Sequence, residues 1–214
     1  MAKPREHKVD ITWSPSLSYV IGIIASDGNV SSNLRHLNIT SKDYEMLHNI
    51  KVILGLNNKI GVKARGGEKD KNYFVLQFGD VRFVEFLDSI GITPNKSKTI
   101  SAVKVPDDYF VDFLRGVIDG DGCIDIYKHP ESKHLQMRIR IGSASMDFLE
   151  FLLAETRRLC AVKRGAVLRR KSSRVYILTF SKTDTLQLLP KLYYATDLSC
   201  LERKRNIASK IMGL

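Results

Sequence analysis

Apolar residues crowd into two short segments of this chain, VIGIIASDG at 20–28 and LRGVIDGDG at 114–122, and each segment ends on Asp-Gly. Both predict helices with marked ends. Ser14-Pro15-Ser16 precedes the first and Pro106-Asp107-Asp108 the second, and a helix favours proline and acids in its first turn. Glycine is a usual stop. After the first Asp-Gly, LRHLNIT (34–40) alternates apolar and polar residues as a half-buried strand does, and residues 43–56 return to helical spacing. KIGVKAR (59–65) and YFVLQF (73–78) then flank a glycine-rich charged loop as a strand pair, and VRFVEFLDSIG closes the series as a helix.

The same order recurs in the second part of the chain. GCIDIY and QMRIRIG read as strands, MDFLEFLLAETRRLC as a helix, RGAVLRRK and RVYILTF as a hairpin, and DTLQLLPKLYY as a helix. Aligning Ile39 with Ile141 and Phe78 with Phe180 puts Leu76 on Leu178 and Leu87 on Leu189 without a gap. The extra second-half residues fit the loop around His129-Pro130. Such duplication implies two pseudo-equivalent halves about an approximate twofold axis. Residues 1–92 would form the first half and 106–214 the second. The polar, basic, proline-bounded stretch 93–105 suits a linker.

This arrangement gives the aspartates a role. Gly22 and Ser26 share one helical face, as do Gly116 and Gly120, and small residues four apart let two helix backbones approach closely. Packed together, the two helices would bring Asp27 and Asp121 to one place, each at a helix C-terminus where the macrodipole disfavours negative charge. Neighbouring carboxylates repel unless one is protonated or a divalent cation neutralises both, and hard oxygen ligands favour Mg2+ or a similar ion.

Composition narrows the partner. At 214 residues and 43% hydrophobic, the chain can bury a core, and its net charge of +11 points to an anionic partner, with nucleic acid favoured over a membrane. Cys123, Cys160 and Cys200 lack a CxxC pair and indicate neither a disulfide framework nor a zinc site. With no secretory signal and no apolar run long enough to span a bilayer, the expectation is an intracellular protein of an organelle matrix or of bacterial or archaeal cytoplasm.

LRGVIDGDG resembles the signature of the LAGLIDADG homing endonucleases at Leu114, Gly116, Ile118, Asp119, Asp121 and Gly122, with Val117 conservative. VIGIIASDG is a looser copy that keeps Gly22, Ile24, Asp27 and Gly28, and the flanking elements are similar from Ser14 to about Lys210. The resemblance implies an α+β fold of two αββαββα halves in a single chain, an internal pseudo-dimer that is itself a monomer. A saddle of antiparallel strands would lie in the major groove of double-stranded DNA and cut both strands at a long, nearly asymmetric site. It also implies Mg2+ at Asp27 and Asp121, with Mn2+ or Ca2+ able to occupy the site and Ca2+ not supporting cleavage. The carbonyls of Ser26 and Gly120 would be further ligands. A basic residue beside each scissile phosphate is expected from Lys96 or Lys98 and from Arg203 or Lys204, with Lys98 and Arg203 as the nominees. Ala25 departs from the signature, which has an acid there as Asp119 does.

Base contacts would come from strand side chains facing away from the core. Period two turns Ser31, Asn33, His36, Asn38 and Thr40 outward in the first half, and Asp125, Tyr127, Arg138 and Arg140 in the second. Lys63, Arg65 and Gln77 join them from the first half's later strands. Six basic residues and no acid fall between positions 163 and 174, and Arg169, Arg170, Lys171 and Arg174 are the candidates near that run for phosphate or base contact. The competing expectation is a binder on the same scaffold that does not cut, such as an intron-splicing maturase, in which case RNA is the partner. A generic basic α/β protein would instead show no coupling between Asp27 and Asp121.

Overall fold

A computed structural model describes residues 9–64, 72–128, 130–131, 133–170 and 173–213. At its centre lie two helices that are buried almost all round, α1 (Pro15–Asp27) and α4 (Phe110–Asp121). Every residue from Leu17 to Ala25 is buried, which the apolar sequence requires of a helix with no polar face. The Ser14 side chain caps α1 by accepting from the Leu17 N–H at 3.2 Å, and Pro15 follows in the first turn. A short 3-10 turn, Asp107–Tyr109, leads into α4.

Around this pair the two halves repeat one plan. The first runs β1 (Gly28–Val30), β2 (Leu37–Ser41), α2 (Tyr44–Ile53), β3 (Ile60–Lys63), β4 (Tyr73–Phe78) and α3 (Val81–Ser89). The second runs β5 (Gly122–Lys128), β6 (Leu135–Ser143), α5 (Met146–Cys160), β7 (Ala166–Arg169), β8 (Tyr176–Phe180) and α6 (Lys182–Leu192), and a final helix, α7 (Glu202–Met212), closes the chain. Each half has an antiparallel four-stranded sheet, ordered β1-β2-β4-β3 and β5-β6-β8-β7. Leu37 pairs with Phe78 and Ile39 with Leu76, as Ile139 pairs with Phe180 and Ile141 with Leu178. These apolar side chains bury one face of each sheet against the helices and leave the alternate residues on the other face.

One local feature differs from the sequence expectation, and two others add to it. The first strand starts at Gly28, directly after α1, and ends at Val30, so Ser31 and Asn33 lie in the following turn and not on a strand. Ser31 Oγ donates to Asn33 Oδ1 at 2.7 Å and accepts from the His36 N–H at 3.0 Å, which closes that turn. Second, the glycines that end α1 and α4 have extended, negative φ angles of −74° and −98°. They are required by crowding: a Cβ on Gly28 would sit 2.7 Å from the Ile24 carbonyl oxygen, and one on Gly122 2.6 Å from that of Ile118. Third, the stretch 93–105 is packed, with Lys96, Ile100 and Val103 buried.

The stretch 93–105 and the final helix each bond to the opposite half. The Ser145 hydroxyl at the start of α5 donates to the Ile100 carbonyl at 2.5 Å. Arg203 on α7 donates to both carboxylate oxygens of Asp43, the residue before α2, at 3.1 and 2.8 Å. The three cysteines are free thiols, and Cys160 and Cys200 are buried.

Candidate metal centre and nucleic-acid face

Small residues bring the two signature aspartates together. A Cβ on Gly22 would lie 3.0 Å from the Gly116 Cα and would overlap the Phe113 carbonyl, and one on Gly116 would overlap the Tyr19 carbonyl. Near the helix ends, a Cβ on Gly120 would collide with the Ser26 side chain and reach 3.4 Å from Asp27 Oδ2. The Asp27 carboxylate thus lies against the residue that precedes Asp121. Asp27 is half-buried and Asp121 exposed, so the pair opens to the outside.

Lys96 reports on both acids. Its Nζ donates to the Ser26 carbonyl at 3.3 Å. Burial lowers its pKa to about 8, against the pull of Asp121 and Asp27, which favour the charged amine. Lys204 takes a comparable place in the second half with a different bonding pattern. Its Nζ donates to the carbonyls of Ile118, Asp119 and Gly122 at 2.5, 2.8 and 2.9 Å, which uses all three of its donors. Lys96 Nζ makes a single hydrogen bond among the described residues and keeps donors to offer a ligand.

The earlier acid of the second signature serves the fold. Asp119 is 1% exposed and accepts from the Tyr19 hydroxyl at 2.9 Å and the Leu201 N–H at 2.7 Å. It ties the start of α7 to the helix pair. Ala25 stands in its place in the first half, also buried, and makes no such tie. Burial is the largest influence on the Asp119 carboxyl and raises its pKa to about 6. Between about pH 4 and 6 the folded chain therefore holds a proton that the unfolded chain releases. That contribution favours folding in acid and is lost as pH rises through 6. Asp119→Asn is expected to destabilise more at pH 5 than at pH 7, read from paired chemical denaturation curves.

The polar face of the first sheet begins at the aspartates. Asp27, Asn29, Asn38, Thr40 and Lys63 line one open depression of about 220 Å³. Gln77 pairs with Asn38 and faces the same way. His36 precedes β2 and is exposed, its ring packed near Gly79. Asn29 is not among the sequence candidates, although the same period-two face that selects Ser31 and Asn33 includes it. Its pairing with Asn38 on β2 shows its place, and the repeat sets it opposite Cys123, which could have signalled it.

On the second sheet, Cys123, Asp125, Tyr127, Arg138 and Arg140 share the outward face. Asp125 pairs directly across from Arg138, and Cys123 from Arg140. Burial alone would raise the Asp125 carboxyl, but hydrogen bonds from Cys123, Arg138 and Arg140 outweigh it and hold the group below its ordinary value. Arg169 pairs with Tyr176, and the alternation that buries Leu178 turns both toward the helix-covered side.

Two candidates for the scissile phosphates have other surroundings or partners. Lys98 is exposed and lines a second depression, of about 300 Å³, with Ala144, Arg169, Arg174 and Tyr176. Arg203 is engaged with Asp43, whose carboxyl it holds below the usual range. The 3-10 turn Lys96–Lys98 points alternate lysines in different directions, which residue spacing did not reveal. Arg170 is exposed in the turn after β7, where its N–H meets the Val175 carbonyl. Arg65 and Lys171 lie outside the described residues.

Among the described residues no three of His, Cys, Asp and Glu gather as a metal site, so the carboxylate pair stands without a third such ligand. The available donors are hard oxygens: two carboxylates and the Ser26 and Gly120 carbonyls, with Gly120 bare of a side chain that would block the approach. That set fits a small dication that takes its remaining ligands from water or a phosphate.

Comparison with known proteins gives this arrangement its class. Residues 14–91 match the family model of the LAGLIDADG-like domain, so the half with the looser signature carries the match. The chain is similar to the crystal structure of the LAGLIDADG homing endonuclease I-LtrWI bound to target DNA. The identity is 14%, with 93% of this chain and 90% of that one covered and a TM-score of 0.61. It is similar to I-DmoI in complex with DNA and Ca, at 15% identity, 90% and 96% coverage and a TM-score of 0.58. It is also similar to full-length DUF199/WhiA from Thermatoga maritima, at 14% identity, 92% and 60% coverage and a TM-score of 0.58. At such identities the likeness shows the fold. The chain has the two-half LAGLIDADG homing endonuclease fold over nearly its whole length, with a LAGLIDADG-like domain at residues 14–91. No curated protein sequence matches it. Among the described residues no helix is long and apolar enough to cross a membrane.

Proposed function

We propose that this protein is a site-specific DNA endonuclease that hydrolyses phosphodiester bonds with a divalent metal. The observation that carries the reading is the convergence of Asp27 and Asp121 beside Lys96, where the first sheet's polar face begins. Asp27, Asp121 and the carbonyls of Ser26 and Gly120 would hold the metal. When bound, it supplies charge neutralisation at the phosphate and an activated water. Lys96, still protonated at neutral pH, offers its remaining N–H groups to negative charge that develops on the phosphate oxygens. The outward faces of the two sheets would bind and orient the duplex through the major groove, with base edges read by Asn29, Asn38, Thr40, Gln77, Arg138 and Arg140. The two faces differ in chemistry, which fits an asymmetric site.

Similar proteins solved with target DNA, and with DNA and Ca, support this reading. Incubation of the protein with a randomised target library and Mg2+, then sequencing of the cut ends, tests it. Recurrent double-strand breaks at one long sequence are expected, with binding and no cutting in Ca2+. Retention of DNA without breaks in any divalent metal would favour a binder on this scaffold that does not cut, or a maturase if RNA were retained instead. The likeness to WhiA gives that second reading its support, since the same fold occurs there under a different name.

Lys96→Met is expected to slow cleavage by roughly 10²-fold, the scale for removing one charge-stabilising donor. Lys98→Met should change it little. Single-turnover rates of both variants on one target decide between the two lysines, and equal losses would refute the assignment.

A further inference from the structure

Two arginines on the second sheet are pinned by one carboxylate. Asp125 Oδ2 accepts from Arg138 Nε at 3.2 Å and from an Arg140 terminal nitrogen at 2.5 Å, while Oδ1 accepts from Cys123 Sγ at 2.7 Å. Tyr127 backs the cluster, with the Arg138 guanidinium 4.1 Å from its ring centre. Arg140 spends a terminal nitrogen on Asp125 and its Nε is buried without a hydrogen-bond partner, so it offers no free pair of donors. The repeat sets Ser31, His36 and Asn38 where the second half has Asp125, Arg138 and Arg140, so the first half has neither the cations nor the acid.

A free arginine on a DNA-facing surface binds phosphate anywhere, and such contacts carry no sequence information. Holding both guanidinium groups on a carboxylate halves the net charge they present and restricts their swing toward the backbone. Arg138 spends its Nε on Asp125 and keeps its two terminal nitrogens, the pair that meets guanine O6 and N7 in the major groove. Ordering the side chains before binding also removes an entropic cost from the encounter.

We propose that Asp125 is a specificity-determining positioning residue that withholds Arg138 and Arg140 from phosphates and presents Arg138 to a G·C pair in the half-site under the second sheet. The inference rests on the DNA-binding reading above. Its test is selection of duplexes from a library randomised in both half-sites, with the intact chain in Ca2+, for the wild type and Asp125→Asn. The wild type should enrich G·C at one position of one half-site. Asp125→Asn should lower that enrichment about tenfold or more, the scale of one lost bidentate base contact. It should leave the preferences of the other half-site in place. The salt dependence of binding should steepen by about one phosphate contact as an arginine is released to the backbone. Unchanged G·C preference in Asp125→Asn would overturn the proposal, as would equal loss in both half-sites, because positioning acts only on the second sheet. A wild type that selects no duplex at all would instead sink the DNA-binding reading itself.

Discussion

Asp27→Asn and Asp121→Asn are each expected to reduce DNA cleavage by roughly 10³-fold or more, while affinity for the target in Ca2+ stays within about threefold. The asymmetry follows from where the charges lie. The carboxylates meet at the ends of α1 and α4, and replacing either with an amide removes a negative charge that a dication at this place needs. The cationic and hydrogen-bonding side chains that would hold the duplex lie along the sheets, as Lys63, Arg138 and Arg140 show. The amide also removes repulsion between a carboxylate and DNA, so affinity has no reason to collapse. Both single variants matter, because a centre shared across the helix pair loses function from either side. Cleavage rates and fluorescence-anisotropy titrations on the same duplex separate the two effects. Equal loss of binding and cutting in either variant would refute the shared centre.

Gly116→Val should destabilise the fold by about 3 kcal/mol, toward the upper end of overpacking costs, because the obstruction is main chain. The first atom of the new side chain would overlap the Tyr19 carbonyl oxygen and stand 3.1 Å from the Gly22 Cα. Neither can rotate aside as a side chain can, so α1 and α4 would have to part along the line that brings Asp27 to Asp121. Gly142→Ala is the matched control, since its nearest neighbour would be a Val175 methyl at 3.8 Å, an ordinary contact. It should stay within about 0.5 kcal/mol of the wild type. Urea denaturation of the three proteins gives the comparison, and similar midpoints for Gly116→Val and the wild type would refute the tight helix contact. Loss of cleavage in Gly116→Val should persist under conditions where the variant remains folded, because the separation moves the acids.

Much of the fold was legible from local chemistry. The residues 73–78 and 146–160 were bounded correctly as β4 and α5 because alternation and helical periodicity survive in them without interruption. The in-register repeat carried over to matching strand pairs, Leu76 beside Ile39 and Leu178 beside Ile141. The pairing of the two signatures was legible for a similar reason, since glycines four apart on apolar helices leave few other partners.

Other features depended on contacts between residues far apart in the chain. Which of Lys96 and Lys98 lies near the acids depends on a 3-10 turn and on what each lysine meets across space, and both look alike as basic residues near a proline. Nothing near Arg203 in the sequence signals a partner, yet Asp43, 160 positions earlier, holds it. Asp119 carries the same chemistry as Asp121 two residues later, yet burial and the Leu201 and Tyr19 donors give it a structural part. Arg169 belongs to a basic run whose residues face different ways once β7 is in register.

By itself, then, the sequence determined the elements, their duplication and the aspartates that must meet, because periodicity, small-residue spacing and charge act over neighbouring positions. The tertiary structure alone decided which lysine faces the acids, which arginines are already engaged and which acid is buried. Those outcomes depend on distance and desolvation, and both arise only when remote parts of the chain pack together.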